Sequence, residues 1–133
     1  YPRIAYSDES YDLAASLIQM AATYGCSSLI KVIIEKARGF DSLNHNGWNF
    51  LHFAAANGYS NVLTSAREIL NSDDLFLVID RNKRNLAHLA TISGHLDVLV
   101  TLNKLNIVLY DKYDKYGVFA FLFIRIHFIM HAN

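Results

Sequence analysis

The 133-residue sequence has a single cysteine, a single proline and a single tryptophan. Cys26 has no partner for an internal disulfide, and one thiol cannot build a zinc framework, so a disulfide scaffold and a cysteine-ligated metal module are excluded. Neither charge sign is in excess: Lys+Arg and Asp+Glu each number 12. A polybasic nucleic-acid or membrane-surface binder is therefore not expected. No N-x-[ST] acceptor is present. Together with the lone cysteine, this points to a reducing, intracellular setting, cytoplasmic or nuclear. Residues 1–20 lack a charged segment followed by an apolar one, so no signal peptide is visible, and a start at Tyr1 leaves the chain open to being an excerpt of something longer. The one long apolar run, 117–130, carries Arg125 and His127 and falls short of the roughly 20 apolar residues a spanning helix needs. No membrane contact is expected from this segment.

What is present is apolar and repetitive. Hydrophobic residues make up 53% of the chain and charged residues 18%, enough for a packed core and too apolar for disorder. Three segments align with one another: ASLIQMAATYGCSSLIKVI (15–33), WNFLHFAAANGYSNVLTSA (48–66) and RNLAHLATISGHLDVLVTL (84–102). Gly25, Gly58 and Gly94 share a column at spacings of 33 and 36 residues. Gln19, His52 and His88 share another, and small pairs (Ala21-Ala22, Ala54-Ala55, Ala90-Thr91) a third. Such a period is the signature of a stacked repeat architecture.

Each segment reads as turn, short helix, loop, longer helix. In the second, Asn46-Gly47 is a tight-turn signal, Asn49 a helix N-cap worth about 1 kcal/mol, and Gly58 the left-handed stop. Asn61 is expected to open the longer helix. The third repeats the pattern with Asn85 as cap, Leu86–Ser93 as helix, Gly94 as stop and Asp97 at the favourable positive end of the next helix. In the first, Ser16 takes the cap position, Gly25 the stop, and Ser28–Ala37 forms the second helix. The small pairs give adjacent helices a column of close contact.

The segments NHNGWNFLHFAAANGY (44–59) and DRNKRNLAHLATISGH (80–95) resemble the ankyrin-repeat motif D-x-x-G-x-T-P-L-H-x-A-A-x-x-G-H. The threonine-proline pair is missing throughout, Lys83 stands for the turn glycine, and Gln19 stands for the first histidine. The resemblance implies an all-α solenoid of three to four helix-turn-helix units with short β-hairpin turns. As a single domain, 1–133 divides at about 11–43, 44–79 and 80–113, with a degenerate partial unit at 114–133.

The histidines admit a catalytic reading, but no nucleophile or carboxylate recurs beside them at a useful spacing. The resemblance instead gives His52 and His88 a structural role, bonded to neighbouring turn backbone. His127 and His131 lie four apart with no third ligand, so no metal site, cofactor or catalytic set is expected. The basic run Arg81, Lys83 and Arg84 reads as a solvated turn rather than a nuclear-localisation signal. The resemblance implies partner binding through hairpin tips and exposed first-helix positions: His45, Asn46, Trp48, Ala56 and Asn57; then Arg81, Asn82, Arg84, Ile92 and Ser93; then Lys115, Tyr116 and Val118. Trp48 reads equally as packing between hairpins or as an anchor, since Trp and Arg dominate interface hot spots. The expected function is protein–protein recognition by another protein not yet identified. The alternatives are a docking segment of a larger channel or multidomain enzyme, and an inhibitor resembling the NF-κB inhibitor family. The tail 118–133 breaks the pattern; it reads as a cut array, a divergent cap or dimer contact, or non-native sequence, and its removal is expected to improve solubility.

Overall fold

The computed structural model describes residues 8–107, 109, 125 and 129–131. Local signals start and stop its helices. Asn49 precedes α3 (Phe50–Asn57) and accepts the backbone N–H groups of Leu51 and His52 in its side chain. Asn85 precedes α5 (Leu86–Ser93) and accepts from the His88 N–H. Each helix ends where a glycine takes a left-handed conformation, Gly58 at φ 83° and Gly94 at φ 77°, a region open to glycine without the Cβ penalty. The longer partners follow after a single residue: α4 (Ser60–Ile69) and α6 (Leu96–Lys104).

The first pair is built differently. α1 runs from Asp8 to Thr23, twice the length of α3, and α2 spans Ser27–Lys36. The cap expected at Ser16 is not there: Ser16 lies exposed in the middle of α1. Nothing between 8 and 23 is Gly, Pro or Asn, so no residue stops the helix. Its buried residues Ala14, Ala15, Ile18, Ala21 and Ala22 continue one stripe past Ser16. Similarly, α4 opens at Ser60 rather than Asn61; the Asn61 amide instead donates to the Gly25 carbonyl at 2.9 Å, tying the second helix pair back to the first.

The pairs stack in two layers. α1 packs on α3 and α3 on α5, while α2 packs on α4 and α4 on α6. The alanine column sits in the first layer: Ala21, Ala54 and Ala90 are all 3% exposed or less. Large side chains fill the space between layers, with Ile18, Ile30, Phe50, Leu51, Leu63 and Leu86 fully buried. Each such residue contributes about 2 kcal/mol of apolar transfer. Between α4 and α5 the chain forms a short 3₁₀ turn, Asp74–Leu77, that seats Phe76 in the core beneath the Arg67 guanidinium.

No strand occurs among the described residues. The expected hairpins are present as turns alone, closed by Asn44 N–H to Trp48 O and Asp80 N–H to Arg84 O, both 2.9 Å. One further bond, Arg81 N–H to Asn46 O at 3.0 Å, joins the two tips side by side. Lys115, Tyr116 and Val118 of the partial fourth unit lie outside the described residues.

Candidate functional site

Each tip is organised by one short polar side chain. The Oδ1 of Asn44 accepts the N–H groups of Asn46 and Trp48, each at 2.9 Å. Thirty-six residues on, Asp80 Oδ1 accepts those of Asn82 and Arg84 at the same distance. The residues two and four after an Asx thus bond its side chain, which folds the turn with no contribution from a strand.

Asp80 does more than Asn44. Its second oxygen accepts the Trp48 indole N–H and the Arg84 Nε–H, both at 2.9 Å. The residue is only 4% exposed. Burial by itself would raise its pKa, but the Arg84 backbone N–H, the Trp48 indole and the Arg84 side chain outweigh it and hold the carboxyl below its ordinary value. A buried charge with four donors is a fixed point, and it fastens the second tip to the third.

Trp48 is half-buried within this arrangement. Its ring stacks on His52 at 6.2 Å, meets Phe53 edge-on at 5.0 Å, and carries the Arg84 guanidinium 6.0 Å from its centre. The structure therefore brings Trp48 and Arg84 together through a shared carboxylate. Arg81 joins them through its backbone while its side chain stays exposed.

His52 lies beneath. Its Nδ1 accepts the Asn49 N–H at 3.1 Å, closing a reciprocal capping box, and its Nε2 contacts the Val78 carbonyl at 3.1 Å. Those two partners are satisfied together when the proton is on Nε2. Burial, the largest influence, drives the His52 pKa down to about 4; the Val78 bond and Asp80 oppose it, and Arg84 adds to it. His52 is therefore neutral near pH 7, and buried under Trp48 it has no access to a substrate. His88 repeats the capping box with Asn85.

The remaining tip and groove positions divide by exposure. His45, Asn46, Asn57, Asn82, Ile92 and Ser93 are exposed, and Ala56 is half-buried. Register aligns Tyr24 with Asn57 and Ser93, Thr23 with Ala56 and Ile92, and Met20 with Phe53, so these positions form rows along the first-helix layer. Three contacts were not read from the sequence. The Tyr59 ring covers Gly25 and the His95 ring covers Gly58, so closely that a Cβ at either glycine would come within 2.5 Å of a ring atom. Phe76 is the third; it stands four residues before Asp80, as Phe40 stands four before Asn44, and Phe40 meets Phe50 edge-on. That repeated phenylalanine was the available signal.

Among the described residues, no group of three or more His, Cys, Asp or Glu is placed to hold a metal ion, and no helix is long and apolar enough to cross a membrane. The family model for ankyrin repeats, three copies, matches residues 17–112. The chain belongs to the ankyrin-repeat family. Ankyrin repeats are generally protein-interaction modules, and the stacked helix pairs with joined tips are the form that family takes. No curated protein and no solved structure matches this ankyrin-repeat chain.

Proposed function

We propose that this ankyrin-repeat chain recognises another protein through the concave face made by its hairpin tips and first helices, and acts by binding rather than by catalysis. The observation that carries this reading is the contrast between fixed and free groups on that face. The tips are held by Asn44 and Asp80, whose side-chain oxygens are fully engaged, while His45, Asn46, Arg81, Asn82, Ile92 and Ser93 project as exposed side chains from that frame, and Asn57, also exposed, bonds back to the Phe53 carbonyl of its own helix. A preorganised frame with free side chains lowers the ordering cost of association. Stacked repeats use such a surface for extended recognition. By the same reasoning Trp48 and Arg84 support the binding face from behind; Lys115, Tyr116 and Val118 belong to the proposal on the sequence resemblance alone.

The test uses two baits, the chain 1–133 and the same chain carrying Asn57→Arg and Ile92→Arg. Both positions are exposed, so the substitutions leave the core intact, which equal helical circular dichroism would verify. Alanine at Trp48 or Arg84 is a poorer choice, because it would strip donors from buried Asp80. A protein retained by the first bait and lost from the second supports concave-face recognition. Identical retention by both contradicts it.

A further inference from the structure

Among the described residues the concave face has a charge of its own, although the chain as a whole is neutral. The tips, residues 44–48 and 80–84, contain one carboxylate, Asp80, and its charge is matched by Arg84 at 2.9 Å. What is left over is positive. Arg81 and Lys83 are exposed, and neither side chain has an ion-pair partner among the described residues. Among the described residues, the exposed carboxylates Glu35, Glu68 and Asp97 sit on the second helices α2, α4 and α6, Asp74 follows α4, and Asp41 precedes the first tip. Asp12 lies on α1, two helix pairs away from Arg81.

Lys83 is held there against its backbone preference. Its φ is 62°, where the matching residue of the preceding tip is Gly47 at φ 80°. A non-glycine residue in that region costs roughly 1 kcal/mol. Along the first helices that run from the tips the surface is apolar: Ile92 is 49% exposed, and Ala56, in its row, and Phe53, one turn earlier on α3, are half-buried.

Resting on the concave-face reading, we propose that the partner segment is an acidic peptide, with an apolar side chain seated at Ile92, Ala56 and Phe53 and flanking carboxylates paired to Arg81 and Lys83. A polyanion without apolar anchors, such as RNA, fits less well: two free cations release few counterions, and the apolar rows would go unused. Charge complementarity of this kind acts through approach and register, and it weakens with salt.

The probe is a random 16-residue peptide library displayed on phage and selected on the immobilised chain 1–133. Parallel selections use Arg81→Glu/Lys83→Glu and Asn57→Arg/Ile92→Arg, each first shown to have unchanged helical content. The expected peptides carry Asp or Glu beside apolar positions and, once synthesised, bind the Arg81→Glu/Lys83→Glu variant at least about tenfold more weakly. That variant should itself select Lys- and Arg-bearing peptides. Peptides with no acidic excess, bound equally by the charge-reversed variant but lost with Asn57→Arg/Ile92→Arg, overturn this inference and leave concave recognition standing. Peptides indifferent to both variants, or no enrichment at all, overturn both. Equal binding of a single-stranded RNA oligonucleotide would overturn the peptide assignment.

Discussion

Replacing His52 by Gln should remove most of the acid sensitivity of this domain between pH 6.5 and 4. His52 is fully buried and its pKa falls from 6.5 to about 4. The unfolded chain takes up a proton as the pH drops through 6.5, while the folded chain refuses it until about 4. Stability from this residue is therefore constant above pH 6.5, declines as the pH falls through the window, and is fully lost by about pH 4. The slope approaches about 1.4 kcal/mol per pH unit, and the whole loss is about 3 kcal/mol. Asp80 adds a loss of the same sign at lower pH, because its depressed pKa matters only below the ordinary carboxylate value. Gln is the informative substitution because the chain already uses it: Gln19 occupies the equivalent place in α1, and its Nε2 lies 3.5 Å from the Ser42 carbonyl, as His52 Nε2 approaches Val78. A Gln at this position of a capping box can also accept the cap N–H. The cost of His52→Gln at pH 7.5 should be about 1 kcal/mol. Urea unfolding of both proteins at half-unit steps from pH 7.5 to 4.5 would give the two profiles. Parallel profiles would show that His52 is not the neutral buried group described.

Three further substitutions test the frame. Lys83→Gly should stabilise the fold by up to about 0.5 kcal/mol, the relieved left-handed strain being partly offset by added chain entropy, read as a higher urea midpoint at unchanged slope. Gly58→Ala and Gly94→Ala impose the same backbone strain, but only the first drives a Cβ into the His95 ring, since nothing lies within 4 Å at Gly94. Thermal melts should show the Gly58 variant losing about 2 kcal/mol more; equal losses would deny the His95 contact. Trp48→Phe removes one of the four donors to Asp80 and should cost about 2 kcal/mol, measured by urea unfolding at pH 7.5, with Trp48→Phe/Asp80→Asn costing less than the sum of the two single changes.

The sequence was readable where a signal and its consequence are neighbours. The starts and stops of α3 and α5 follow from Asn49, Gly58, Asn85 and Gly94, each of which acts on backbone within four residues. α1 was misread for the complementary reason. Aligning it to α3 put a cap at Ser16, but the physical question was whether anything between 8 and 23 stops a helix, and nothing does. The site was legible as a set of positions and not as a network. Trp48 and Asp80 are 32 residues apart, and no local pattern reveals that the indole reaches the next tip's carboxylate, so whether Trp48 packs or projects stayed open until their distance was known. Tyr59 over Gly25 and His95 over Gly58 were likewise hidden, because the glycine column had already been explained by helix termination alone. A glycine that meets two demands at once shows only the first in sequence.

The most direct test of the account is a hydrogen–deuterium exchange footprint of the chain with and without the first partner or peptide it is shown to bind. Concave-face recognition requires that new protection falls on the tips and first-helix ends, at residues 45–48, 53–57, 81–84 and 89–93, with α2, α4 and α6 unchanged. Protection confined to α2, α4 and α6, with the tips exchanging as in the free chain, would contradict it.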